Sequence, residues 1–165
     1  MNKKDIFLIV GAVAIVLLAF LVTGGNKEDA NKELIVLSDE EIGLIAMDYS
    51  TYESKIENGE NFIVVIERDG CGYCEDYLPI LEDATNELGI PVYDINIAKL
   101  TSDEYESLEK SNLYLKREKW GTPTTLLLSG DEVIDSIGGY VEKEEFVKFV
   151  KKNIDLSHDE KEDIK

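Results

Sequence analysis

The chain has 165 residues, 44% apolar and 32% charged, with 17 lysines and arginines against 35 aspartates and glutamates. That length suits one domain plus an appendage, and the apolar share excludes wholesale disorder. A net charge of -18 excludes a basic nucleic-acid-binding surface, and with one histidine, His158, near the C-terminus, histidine triads and histidine metal sites have little support.

Lys3 and Lys4 precede an uncharged apolar run from Ile6 to Val22. As a helix the run reaches about 25 Å, the short end of what crosses a bilayer. The leading lysines keep the N-terminus cytoplasmic, so the expectation is a single-pass cell-membrane protein whose lipid-bilayer contact is residues 6–22 and whose domain is extracytoplasmic. Val22-Thr23-Gly24 also fits a signal-cleavage site, which leaves secretion after cleavage as the alternative. A buried core helix fits the flanking lysines and the polar stretch that follows poorly. The expected organisation is 1–22 anchor or signal segment, 23–37 linker, 38–154 folded domain and 155–165 charged tail containing His158.

Within the folded part, Leu44 to Met47 reads as a first strand, and Ser50 to Glu57 as a helix stopped by Asn58-Gly59. Phe62 to Ile66 is consecutively apolar and rich in β-branched residues, the pattern of a strand buried on both faces. Cys71 to Leu88 is a helix closed by Gly89, and Pro91 to Ile97 a strand. Thr101 and Glu104 form a capping box opening a helical stretch toward Lys119. Thr124 to Leu128 and Glu132 to Ile137 form a hairpin around Ser129-Gly130-Asp131. Val141 to Ile154 is amphipathic, with Phe146, Val147, Phe149 and Val150 inward. The order β-α-β-α-β-α-β-β-α predicts an α/β fold, a mixed central sheet with helices on both faces.

The chemistry-bearing motif is Cys71-Gly72-Tyr73-Cys74, which holds the only two cysteines. Cysteines at i and i+3 at a helix start share one face and can close a small disulfide ring. The first sulfur meets unpaired backbone N–H groups that favour a thiolate, and the second lies one turn inside. That asymmetry supplies an attacking and a resolving thiol. Zinc needs about four ligands, and the only other histidine or cysteine is His158, so no metal and no cofactor is expected. An inert structural disulfide or a pair of unreactive thiols is the other reading.

The motif, Pro79 in the following helix, Gly121-Thr122-Pro123-Thr124 before a strand, and Ile137-Gly138 before the last helix together resemble the thioredoxin superfamily. The resemblance runs from about Leu44 to Asn153 and implies a thioredoxin-like fold, preceded here by the N-terminal transmembrane helix. It implies that Cys71 is the nucleophile, Cys74 the resolving thiol, and Thr122-Pro123 a cis bond against the disulfide. Gly72 and Tyr73 would tune the redox poise and meet substrate, and the backbone of Thr122 would pair with an extended substrate strand. An ordinary trans turn is the alternative for Pro123.

The chain also departs from the family. Val65 stands where many thioredoxins keep a buried aspartate; Glu67 is the candidate replacement as proton acceptor for Cys74. Gly70 stands where a tryptophan is usual, and Trp120 beside the proline motif either lines the site or fills the core. The stretch from Asn96 to Gly121 is long, and Tyr105, Leu108 and Tyr114 within it either cover the core, the preferred reading, or form a specificity surface. The Gly-Tyr dipeptide is similar to that of periplasmic disulfide isomerases, but there is no room for their dimerisation domain. The anchor and size look more like small extracytoplasmic thioredoxin-like proteins of low-GC Gram-positive bacteria, including bacteriocin transport accessory proteins.

The functional expectation is an extracytoplasmic thiol-disulfide oxidoreductase that reduces protein or peptide disulfides and is recharged by a membrane-embedded thiol electron donor. The alternatives are a thioredoxin-like accessory or binding module for a transporter or secreted peptide and, within the enzyme class, a disulfide isomerase. Glu67, Asp69, Glu75 and Asp76 outnumber Arg68 near the thiols, which disfavours the Cys71 thiolate and predicts a reductant.

Overall fold

A computed structural model describes residues 33–157 except 118. The expected anchor, most of the expected linker and His158 lie outside these residues. Among the described residues no helix is long and apolar enough to cross a membrane.

Five strands form one sheet: β1 (Gly43–Ala46), β2 (Asn61–Glu67), β3 (Pro91–Asn96), β4 (Thr124–Ser129) and β5 (Glu132–Gly138), in the spatial order β1-β3-β2-β4-β5. β1, β3 and β2 are parallel, whereas β4 runs antiparallel to β2 and β5 antiparallel to β4. The helices are α1 (Tyr49–Glu57), α2 (Gly72–Leu88), α3 (Ser102–Lys110) and α4 (Lys143–Asn153), with a short 3-10 turn at Ile97–Lys99. This is the mixed α/β arrangement expected from the order of elements.

Alternation along the central strands divides the core. Ile63 and Val65 of β2 and Leu127 of β4 pack with Tyr77 and Leu81 of α2 and with Phe146, Phe149 and Val150 of α4. Phe62, Val64 and Ile66, with Leu126 and Leu128, pack on the other face with Tyr52 of α1, Leu108 of α3 and Leu115. A strand covered on both faces has no polar side to show, which is why β2 reads as an unbroken apolar run.

The helix ends follow local chemistry. Asp48 caps α1 by accepting the Thr51 N–H at 2.8 Å, and Gly89 closes α2 at φ +69°, a left-handed position that glycine adopts without a Cβ penalty. The Thr101–Glu104 capping box opens α3. The helix expected to run toward Lys119 stops instead at Lys110. There the Ser111 hydroxyl donates to the Leu108 carbonyl at 2.7 Å, and the Asn112 side chain accepts the Leu115 N–H at 3.0 Å. These side-chain bonds compete with the helical ladder and turn the chain, burying Leu115. Val147 of α4 is half-buried rather than fully inward.

The two ends of the described chain are tied to each other. Ile35 pairs with Ile154 in a parallel bridge, its N–H donating to Asn153 O and its carbonyl accepting from Asp155 N, each at 2.8 Å. Lys55, 7% exposed, holds Asp39 at 2.6 Å and Glu60 at 2.9 Å, and its ammonium sits 4.5 Å from the Tyr93 ring centroid.

Candidate active site

β2 ends at Glu67, and a turn closed by the Cys71 N–H donating to Arg68 O at 3.2 Å carries the chain into α2. Gly70 takes φ +72° there. A side chain at that angle would be strained, which accounts for glycine directly before the cysteine. Cys71 is the N-cap of α2, in extended conformation, with its sulfur 3.3 Å from the Cys74 amide nitrogen. Cys71 and Cys74 are joined as a disulfide, with Cα atoms 5.2 Å apart. Cys71 is 9% exposed and Cys74 1%, so one sulfur meets the surface and the other lies behind it.

The antiparallel pairing of β4 with β2 sets Thr124 beside Ile66, at the end of β2 that leads into the cysteines. The segment before β4 therefore meets α2. Thr122–Pro123 is a cis peptide, and the Thr122 carbonyl oxygen lies 3.4 Å from Cys71 Sγ. A Cys71 thiol in the reduced protein can donate to that oxygen. Pro123 is buried, and its own carbonyl accepts the Gly139 N–H at 2.8 Å; the Thr124 hydroxyl donates to Gly121 O at 2.6 Å. These bonds hold the loop against the disulfide.

A groove of about 540 Å³ opens beside Cys71. Gly72 and Tyr73 from the start of α2 line it together with Gly121 and Thr122 from the proline loop. Tyr73 is 70% exposed. Tyr105 and Trp120, whose ring centroids are 6.4 Å apart, line the groove as well, with Arg68, Arg117 and Glu109. Trp120 performs both roles the sequence allowed, since it lines the groove and packs on the core containing Leu108. The long segment is divided in the same way: Leu108 is fully buried and Tyr114 packs against the core, whereas Tyr105 faces the groove.

Glu67 is buried, on the side of β2 that carries Ile63 and Val65, the side covered by α2. Burial pushes its carboxyl up, reinforced by the charges of Asp94 and Asp69 and opposed by Lys99 and a hydrogen bond with Asn96. Asp94 is the residue that sequence reasoning missed. It is the register partner of Val65 on β3, and burial pushes its carboxyl up against the pull of Lys99. The lone charge in the Pro91–Ile97 strand was the available signal. The other acidic neighbours do not line the groove: Asp69 accepts the Asn96 side-chain N–H at 2.6 Å, and Glu75 and Asp76 are exposed on α2. Among the described residues no group of three histidine, cysteine, aspartate or glutamate side chains is placed to hold a metal ion.

Comparison with known proteins agrees with this geometry. The Thioredoxin-like domain family matches residues 50–154, well over half of the chain. A thioredoxin from Aeropyrum pernix is 21% identical, with a TM-score of 0.52 over 75% of this chain and 97% of its own. The thioredoxin NaTrxh from Nicotiana alata is 18% identical, with a TM-score of 0.53 over 72% and 98%. No curated protein matches the sequence. The chain belongs to the thioredoxin-like family, and its paired cysteines support a thiol-disulfide oxidoreductase.

Proposed function

We propose that this family member reduces disulfides in proteins or peptides outside the cytoplasmic membrane, tethered to the bilayer by residues 6–22. The observation that carries the reading is the asymmetry of the pair: Cys71 caps α2 at the edge of an open groove, and Cys74 is buried one turn behind it. The helix N-terminus favours the Cys71 thiolate, which attacks one sulfur of a substrate disulfide. A mixed disulfide forms and one substrate thiolate leaves. Cys74, deprotonated beside that intermediate with Glu67 as the candidate acceptor, attacks Cys71 Sγ and expels the second substrate thiolate. Two protein thiols become the Cys71–Cys74 disulfide, the substrate disulfide becomes two thiols, and the two protons pass from protein to substrate. Return to the dithiol takes two electrons from a second dithiol, and a membrane-embedded thiol protein is the partner class that reaches a tethered domain.

The direction follows from charge. Glu67, Asp69 and Asp94 lie around the end of β2 that leads into the cysteines and disfavour a strongly stabilised thiolate. The potential is therefore expected nearer the thioredoxin value of about -270 mV than the strong-oxidant value of about -120 mV. Disulfide isomerase is the second reading. It is favoured by Arg68 and Arg117, whose positive charges line the groove with Cys71 and favour the thiolate. An accessory module for a transporter or secreted peptide requires neither thiol, so replacing Cys71 by serine in cells separates it: retained function supports the module, lost function the enzyme.

A further inference from the structure

We infer that the groove beside the disulfide selects polypeptides carrying aspartate or glutamate close to their disulfide cysteine, with Arg68 and Arg117 as the selecting residues. The inference names a substrate class for the reduction proposed above and rests on that reading. Its ground is a local inversion of charge. The chain as a whole carries -18, yet among the described residues the groove is lined by two guanidinium groups and one carboxylate, Glu109. The two arginines come from separate elements, Arg68 from the turn before Cys71 and Arg117 from the segment after α3.

Their partners point the same way. Among the described residues neither Arg68 nor Arg117 is in an ion pair, as holds also for Lys99, Lys116, Lys119, Lys148 and Lys151, but only the two arginines line this groove. Arg117 instead stands 5.8 Å from the Tyr114 ring centroid. The described carboxylates nearest Arg68 in sequence are engaged elsewhere or face away: Asp69 binds Asn96, Glu67 is buried, and Glu75 and Asp76 are outside the groove. Two exposed, unpaired guanidinium groups in an acidic protein repel little that is basic at long range but bind carboxylates well at contact, often in bidentate geometry. The Tyr105–Trp120 pair adds apolar surface for the side chain beside the acidic one. An acidic, partly apolar extended segment thus matches the groove.

Exposed ion pairs are individually weak, roughly two- to fivefold each in affinity, so two contacts together give about a tenfold preference. The test uses the full chain in non-ionic detergent, pre-reduced, in single-turnover reaction with peptide disulfides that differ only in flanking aspartate, asparagine or lysine. The aspartate peptide is expected to react about ten times faster than the lysine peptide at low salt, with the ratio shrinking at high salt. In R68Q/R117Q the ratio falls to near one, and in R68E/R117E it inverts, an outcome that misfolding cannot produce. A ratio near one in the parent protein, or a ratio that survives in R68Q/R117Q, overturns the inference. Fluorescence anisotropy with the same peptides carrying serine for cysteine separates the two readings. If no peptide disulfide is reduced, the reductase assignment falls, and the groove is still judged. Salt-sensitive binding of the aspartate peptide that is lost in R68Q/R117Q supports the selection, and equal binding of all three peptides overturns it.

Discussion

Cys71 Sγ and the carbonyl oxygen of Thr122 lie 3.4 Å apart across a sequence separation of 51. The contact exists because β4 runs back along β2, so the loop entering β4 lands on the helix that leaves β2. It places a backbone acceptor beside the Cys71 sulfur at the groove, where a substrate strand carrying its own disulfide can be paired and held in line for attack.

From this arrangement the two cysteines have separable roles. C71S is expected to lose insulin-disulfide reduction entirely, by at least about a thousandfold. C74S is expected to keep the first attack and accumulate a protein–substrate mixed disulfide, visible by mass spectrometry without reductant. An active C71S protein contradicts the assignment of the nucleophile.

Glu67 carries a conflict between stability and function. Its carboxyl is pushed up by burial and by Asp94 and Asp69, so the folded state holds its proton more tightly than the unfolded chain does. The native state then binds more protons, and this contribution to stability falls as pH rises through the folded-state value, being most favourable below the ordinary glutamate range. E67Q removes the buried charge and is expected to raise Tm at pH 7 by about 2–4 °C while flattening its pH dependence. The same variant is expected to slow resolution of the mixed disulfide by about tenfold or more if Glu67 takes the Cys74 proton. A stabilised variant with unaltered resolution would assign Glu67 no part in proton transfer.

Asp39 is the converse case. Burial works against its charge, but hydrogen bonds from Lys55 and Tyr93 outweigh it and hold the carboxyl below the usual range. The Tyr93 hydroxyl donates at 2.7 Å and Lys55 at 2.6 Å, so this group joins the segment before β1 to α1 and β3. Its stabilisation is present above the ordinary aspartate range and lost as pH falls through the lowered value. D39A leaves the buried Lys55 ammonium with Glu60 alone and is expected to cost about 1–3 kcal/mol in urea denaturation at pH 7.

The tether has its own test. The full chain is expected to sediment with membranes and to need detergent for release. A chain lacking residues 1–25 is expected to be soluble and to reduce insulin at the parent rate, since the cysteines, the proline loop and the sheet all follow residue 42. A full chain recovered in the soluble extracytoplasmic fraction would instead indicate signal cleavage.

The elements were legible where one strand or helix sees a single environment throughout. The apolar run at Phe62–Ile66, the Thr101–Glu104 capping box and Gly89 each state a local rule that the fold obeys. The end of α3 was not legible, because Ser111 and Asn112 become helix breakers through bonds to Leu108 and Leu115 that periodicity does not encode. In the site, the cysteine spacing at a strand–helix junction was readable locally, whereas the meeting of Cys71 with Thr122 was expected only through family resemblance. Asp94 and Arg117 escaped notice because their positions depend on strand register and on the course of the long segment after α3. Counting acids by sequence distance also placed Glu75 and Asp76 near the thiols, although they face solvent on α2.

The reduction potential of the Cys71–Cys74 pair tests the central claim most directly. Equilibration of the full chain with glutathione buffers, read by mass shift after thiol alkylation, is predicted to give a midpoint nearer about -270 mV than about -120 mV. A midpoint more positive than about -180 mV, in the range of disulfide isomerases and oxidants, would contradict the reductase account.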